Sequence, residues 1–116
     1  MPNEDCIFCQ IAAGTLPAKI VYQDDEMTAF WDKHPATKVH ILIIPNKHIA
    51  SLNEAEPEDS ELLGRLMMRA RAIAEEQGVR ESGYRLLLNI GKGGGQSVFH
   101  MHLHLFAGQH LLAIHG

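Results

Sequence analysis

The sequence predicts an α+β fold: an antiparallel sheet of about five strands, with one long helix packed on it and a short helix at the N-terminus. Three observations predict it. Between positions 57 and 77 the apolar residues Leu62, Leu63, Leu66, Met67, Ala70, Ile73 and Ala74 recur at the helical period and make one stripe. Runs at 19–22, 27–31, 39–44, 84–90 and 100–106 are apolar or alternating and have the length of strands. No repeat, low-complexity tract or linker divides the chain, so a single domain is expected over 1–116.

The bulk properties exclude several classes. With 116 residues and 46% hydrophobic content the chain can bury a core, although a domain this small gains from dimerisation. A formal charge of -4 argues against a nucleic-acid partner, which needs a basic surface. No apolar run is long enough to span a bilayer, so no membrane partner is expected. The start, Met-Pro-Asn-Glu-Asp, is polar and acidic, unlike an export signal. Together with only two cysteines this leads us to expect a cytoplasmic protein with reduced thiols.

Taken in order, residues 1–5 read as an unstructured start. Cys6 to Ala13 reads as the short helix, with Asp5 as its N-cap and Gly14 as its stop. Cys6 and Cys9 share one face of it; Ile7 and Ile11 share another. The Cys-x-x-Cys pair is open to three readings. A redox pair lacks the thioredoxin-like context. Two inert thiols are a second reading. The third is half of a zinc site, for which His48 and His100 are candidate partners. Lys19–Tyr22 and Met27–Trp31 flank Gln23–Glu26 as a hairpin. Asp32 then stands as a strand-end carboxylate, suited to accept from two hydroxyls or simply exposed. Phe30 is most simply core.

Lys33–Lys38 is a loop. Val39–Ile44 is a buried strand closed by Pro45, in which His40 reads as a hydrogen-bonded core histidine. A short helical piece is expected over 49–52 and the long helix over 57–77, with Pro57, Glu58 and Asp59 in its first turn and Gly78 at its end. Met67 and Met68 read as core or dimer contacts, and Arg65, Arg69 and Arg71 as a solvated face. Tyr84–Ile90 is the next strand, with Asn89 at its end, where its amide can reach a phosphate or hold a loop carbonyl.

The stretch Gly91–Phe106 carries the chemistry. Strand periodicity sets His100, His102 and His104 on one face and Met101, Leu103 and Leu105 on the other. Gly91, Gly93, Gly94 and Gly95 precede them, and a glycine-rich turn lets successive N–H groups converge on an anion. The loop lacks the ending of a P-loop and leads into a strand, so the P-loop and dinucleotide-binding readings fail. An anion cradle feeding a row of imidazoles points to chemistry at phosphorus; a metal half-site is the competing reading.

The run Gly94-Gly95-Gln96-Ser97-Val98-Phe99-His100-Met101-His102-Leu103-His104-Leu105-Phe106 resembles the signature of the histidine triad (HIT) family. It is most similar to the histidine-triad nucleotide-binding branch, and the likeness runs from Cys6 to about Gly108. The resemblance implies a HIT-like fold in which two copies pair about a two-fold axis and extend the sheet. It implies a purine nucleoside phosphoramidase acting on purine nucleoside monophosphate derivatives such as adenosine 5'-monophosphoramidate. In that reading His102 is the nucleophile, His100 orients it and shares a metal, His104 contacts phosphate, and His40 supports the triad. Ser97 stabilises charge and helps deliver a proton to the leaving amine. The nucleotide pocket takes Ile7, Phe8, Ile11, Phe30, Asp32 (on the ribose), Asn89, Gly95, Gln96, Ser97 and Val98, with His102 and His104. Cys6, Cys9, His48 and His100 hold a structural zinc, and the chemistry itself needs no metal.

Two features depart from the family pattern. Lys33 and His34 replace small or apolar residues, and the tail from Gln109 to Gly116 has no aromatic. Three alternatives stay open at this level: hydrolysis of dinucleoside polyphosphates or another nucleotidyl transfer, a metallohydrolase with two or three of His100, His102 and His104 holding a catalytic zinc, and a nucleotide-binding or interaction protein without activity.

Overall fold

The structure is a computed structural model and describes residues 3–111. Helix α1 spans Ile7–Ala13 and ends at Gly14, whose left-handed φ of 80° suits a residue without a Cβ. Its N-cap is Cys6, not Asp5: the Cys6 sulfur accepts the Cys9 N–H at 3.4 Å. Asp5 lies one residue outside, in a turn where Asn3 accepts its N–H at 2.9 Å. Asn3–Asp5 therefore make a turn where an unstructured start is expected.

Strands β1 (Ile20–Gln23) and β2 (Met27–Trp31) form the expected hairpin, whose turn is held by Asp24 accepting from the Glu26 and Met27 N–H groups. Strand β3 is Val39–Pro45, helix α2 is Ser60–Glu76, β4 is Arg85–Leu88 and β5 is Leu103–Ala107. The five strands are all antiparallel, in the order β1-β2-β3-β5-β4.

Register sorts the side chains onto two faces. Odd positions Met27, Ala29, Ile41, Ile43, Leu103 and Leu105 pack against Leu66, Ala70, Ile73 and Ala74 of α2 as the main core. Even positions Phe30, Leu42 and Ile44 face the other way and meet Phe8 and Ile11 of α1. Seven residues of helix cannot cover that face. Its uncovered part carries His40 opposite Phe106 and Leu42 opposite His104, so His40 and His104 are diagonal neighbours on the open side.

Several boundaries differ from the sequence reading, each for a local reason. The long helix starts at Ser60, preceded by a 3-10 turn over Pro57–Asp59; the Asp59 carboxylate accepts from the Glu56 N–H and from Lys47, which holds the tighter turn. The short helical piece is a 3-10 turn at Leu52–Glu54, displaced because Ser51 caps it through the Asn53 N–H. Strand β4 stops at Leu88, where its partner β5 begins at Leu103. Nor is the triad one strand. His100 and His102 precede β5, because the Met101 N–H donates to the Ile49 carbonyl at 2.7 Å and draws the chain off the ladder.

The arginines are not one solvated face. Arg65 grips Glu26 with two hydrogen bonds of 2.8 and 2.6 Å, and Arg69 lies 3.6 Å over the Tyr22 ring, so both tie α2 to the β1–β2 hairpin. Arg71 is exposed. Met67 and Met68 are not core: they are 51% and 57% exposed. Among the described residues no helix is long and apolar enough to cross a membrane. Residues 112–116 of the C-terminal tail lie outside the described residues.

Candidate active site

Hydrogen-bond chemistry sets the proton on each imidazole. The main-chain carbonyl of His100 can only accept, so His102 Nδ1, 2.8 Å away, carries a proton. Burial pushes the pKa of His102 below its ordinary value, partly offset by that hydrogen bond and by Asp32. The ring is therefore neutral at pH 7, with its lone pair on Nε2. That Nε2 has no hydrogen-bond partner among the described residues and is not sealed from solvent. A neutral imidazole with an open Nε2 is the state a nucleophile needs.

His104 is set by a second chain of contacts. The Ala36 N–H donates to His40 Nδ1 at 3.1 Å, which leaves the His40 proton on Nε2. That atom lies 3.0 Å from His104 Nδ1 and 3.4 Å from an Asp32 oxygen. Nδ1 of His104 accepts, so its proton sits on Nε2, where it can donate to a ligand oxygen. Burial, then the neighbouring His102 and His40, hold His104 down to about 4, and Asp32 opposes them. Burial likewise lowers His40, against the pull of Asp32. Thus His40 is buried and hydrogen-bonded, as its sequence context suggests, and it also fixes its neighbour's tautomer.

His100 faces a different set of atoms. Its Nε2–H donates to the Pro45 carbonyl at 2.7 Å, and burial drives its pKa down to about 4. The freed Nδ1 lies 3.4 Å from Cys6 Sγ and 3.5 Å from Cys9 Sγ, and Cys9 Sγ is 3.2 Å from His48 Nδ1. The four donor atoms fall within 4.8 Å of one another. A tetrahedral zinc with two sulfur and two nitrogen ligands separates S from N by about 3.5 Å, so these residues fit that metal. The carbonyl bond to His100 is the outer-sphere contact such a ligand requires. Burial raises the Cys9 thiol pKa, so a cation is what would ionise it.

A second cluster, Asp32, His40 and His104, also brings three donor atoms together. It does not fit a metal. Coordination through His40 Nε2 would force a proton onto Nδ1, which already faces the Ala36 N–H. Among the described residues, the three triad imidazoles do not form one metal-sized group with one another.

The glycine loop is organised from within. Gly91 and Gly95 take φ of 74° and 86° around a 3-10 turn at Lys92–Gly94. The buried Gln96 side chain accepts from the Gly91 N–H at 2.9 Å and donates to the Ala50 and Val98 carbonyls at 2.6 and 2.9 Å. Asn89 reaches the Gly95 carbonyl at 3.5 Å, which matches the loop-holding alternative. The N–H groups of Gly94, Gly95 and Gln96 turn inward to loop carbonyls. Among the described residues the N–H groups of Ser97 and Val98, just after the glycines, make no such bond to a main-chain carbonyl.

The other residues expected in the pocket fall into more than one group. Phe8 meets Phe30 edge-on at 5.5 Å and His102 at 5.1 Å, and Val98 packs on the Phe8, Ile11, Phe30, Leu42 cluster. Ile7, 47% exposed, lines an open cleft on the Cys6 and His48 side, with Ser97, Val98 and Phe99. The two oxygens of Asp32 meet the His34 N–H at 2.8 Å and His40. Sequence reasoning missed Phe106, which stacks on His104 at 5.3 Å; the alternation that picked out His104 reaches it two residues on. It also missed the Ala36 N–H and the Pro45 carbonyl, main-chain groups with no sequence signal.

A five-stranded antiparallel sheet with one covering helix and a His-x-His-x-His segment defines a class, and the comparisons agree: the chain belongs to the histidine triad (HIT) family. A family model described as "Scavenger mRNA decapping enzyme C-term binding" matches residues 5–114. Among individual proteins, the chain is 46% identical over 108 residues to the purine nucleoside phosphoramidase of Escherichia coli (strain K12), covering 93% of this chain and 91% of that one. The crystal structure of a HIT family hydrolase from Legionella pneumophila Philadelphia 1 superimposes with a TM-score of 0.92 at 46% identity, over 96% of this chain and 99% of that one. A Zn-bound histidine triad family protein from Mycobacterium smegmatis gives a TM-score of 0.77 at 34% identity, over 90% and 75% of the two chains.

Proposed function

We propose that this protein hydrolyses the P–N bond of purine nucleoside phosphoramidates through a nucleotidyl-histidine intermediate. The observation that carries the reading is His102, a neutral imidazole held with Nδ1–H on the His100 carbonyl and Nε2 open. The likeness to a purine nucleoside phosphoramidase at 46% identity supports the substrate class.

In the first step Nε2 of His102 attacks phosphorus. A new N–P bond forms, the P–N bond to the amine breaks, and the amine leaves with a proton taken from solvent and relayed through the Ser97 hydroxyl. In the second step water attacks the same phosphorus. The His102–P bond breaks, the nucleoside monophosphate departs, and the water's proton is lost to solvent. The His104 Nε2–H and the Ser97 and Val98 N–H groups donate to the non-bridging oxygens, whose charge grows as the bond forms. Asp32 accepts from the ribose hydroxyls; Phe8, Ile11, Phe30 and Val98 enclose the base, with Ile7 at the rim. Asn89, Gly95 and Gln96 shape the loop. Zinc at Cys6, Cys9, His48 and His100 would supply cross-linking, since four protein ligands complete its shell.

The same surface logic supports a homodimer. Among the described residues β4 is an edge strand of the sheet, and beside it Leu52, Leu63, Met67, Leu88 and Met101 line an apolar groove. Pairing there buries the edge and the exposed Met67 together.

The test is His102→Ala assayed on adenosine 5'-monophosphoramidate, with nucleotide binding measured alongside. Turnover should fall by at least about a thousandfold while nucleotide still binds. Wild-type turnover in that variant would refute the mechanism. Faster cleavage of a diadenosine polyphosphate than of the phosphoramidate by the wild type would instead favour the sister reaction of dinucleoside polyphosphate hydrolysis.

A further inference from the structure

Helix α1 faces two sites at once. Cys6 and Cys9 turn toward His48 and His100, while Phe8 and Ile11 turn toward Phe30, Leu42 and Ile44. We propose that zinc at the Cys6, Cys9, His48 and His100 centre and a purine nucleoside in the neighbouring pocket bind cooperatively through α1, each tightening the other. This rests on the reading of that pocket as a purine nucleoside site.

Three features carry the inference. First, α1 has seven residues, far fewer than an isolated helix needs to persist in water. Its order is borrowed from what its two faces touch. Second, its N-cap is itself a donor of the metal cluster: the Cys6 sulfur accepts the Cys9 N–H that opens the helix. Ligation therefore acts on the helix start directly. Third, the Phe8 ring is common to both sites, 6.1 Å from His100, 5.1 Å from His102 and 5.5 Å from Phe30. A shift of α1 moves the floor of the base pocket and the ring that backs the nucleophile together.

The four donor atoms come from three segments far apart in sequence: Cys9 and His48 are 39 positions apart, and Cys6 and His100 are 94. A metal joining them removes chain freedom that would otherwise be quenched when the nucleoside orders α1. The second ligand to arrive then meets a smaller ordering cost, and the coupling is reciprocal by linkage. Four protein donors leave the metal no position for a phosphate oxygen. The coupling proposed here therefore runs through α1 to the base and not through a metal–phosphate bond.

The test measures adenosine and AMP affinity by titration calorimetry on zinc-loaded and chelator-stripped full-length protein, and zinc affinity by chelator competition with and without adenosine. Zinc should tighten adenosine and AMP by the same factor, about tenfold, and adenosine should tighten zinc equally. Hydrogen exchange in 7–13 should slow when either ligand binds. Phe8→Leu should keep one zinc per chain and lose most of the coupling. The proposal is overturned if both ligands bind with unchanged affinities, if only AMP responds to zinc, or if Phe8→Leu leaves the factor intact. Should neither adenosine nor AMP bind in any state, the nucleotide reading itself falls. Should zinc not bind, the coupling falls and the nucleotide reading stands.

Discussion

His102 donates through Nδ1 to the main-chain carbonyl of His100 at 2.8 Å. The side chain of His100 meanwhile points its own Nδ1 at two cysteine sulfurs and its Nε2 at the Pro45 carbonyl. One residue thus serves two centres with different atoms. Its carbonyl fixes the tautomer of the nucleophile, and its ring belongs to the metal cluster. The arrangement resolves a conflict visible in the sequence, where His100 is asked both to orient and to ligate.

The relay from Ala36 through His40 to His104 predicts a positioning role for His40. Replacing it with Ala removes the group that holds the His104 proton on Nε2, and kcat should fall about 10- to 100-fold. KM should change little, because His40 is buried behind the ligand face. His40→Gln, whose amide nitrogen reaches as far as the imidazole Nε2 and can donate toward His104, should recover part of the loss. Stopped-flow or steady-state kinetics of the two variants decide this; equal defects in both, with KM raised, would mean a merely structural residue.

The pH profile follows from the direction of the shifts. Attack requires neutral His102, and burial holds that ring below the ordinary histidine value of 6.5. His104, held down to about 4, stays neutral through the same range. Protonation is what abolishes the nucleophile, so a lowered pKa moves the acid limb downward. The midpoint of the acid limb of kcat/KM should therefore lie below 6.5. A limb centred at 6.5 or above would contradict the buried, carbonyl-bonded geometry.

Stability should separate the core from the surface clamp. Ile73 is fully buried between α2 and the sheet, and Ile73→Ala should cost about 2–5 kcal/mol in urea unfolding. Arg65 and Glu26 are 47% and 43% exposed, so Arg65→Ala should cost about 1 kcal/mol or less despite its two short hydrogen bonds. The reverse order would overturn the assignment of the main core to the α2 face.

The apolar groove beside β4 predicts a concentration-dependent assembly. Met67→Glu sets a charge among Leu52, Leu63 and Leu88 and should convert a dimer to a monomer in sedimentation analysis. A wild-type protein that sediments as a monomer at high micromolar concentration would remove the dimer from the account.

Much of the fold was legible because its signals are local. The 3.6-residue stripe of α2, the hairpin turn around Asp24 and the unbroken apolar run of β3 each depend on neighbours within a few residues. Boundaries failed where a distant group intervened. The Ile49 carbonyl takes the Met101 N–H and ends the triad strand early. The Cys6 sulfur replaces Asp5 as cap, and Glu26 and Tyr22 recruit arginines that look solvated in the sequence.

The sequence by itself determined which chemistry is available: the alternation of histidines, the glycines ahead of them, the spaced cysteines and the helical stripe are properties of order along the chain. Only the tertiary structure decided which nitrogen of each ring carries a proton, that His48 and His100 meet Cys6 and Cys9, and that His40 speaks to Asp32 and His104. The physical reason is that a proton's place on an imidazole is set by what stands opposite each nitrogen. For His40, His100 and His102 that group is a backbone amide or carbonyl. Backbone groups are alike at every residue, so only folding can say which one arrives.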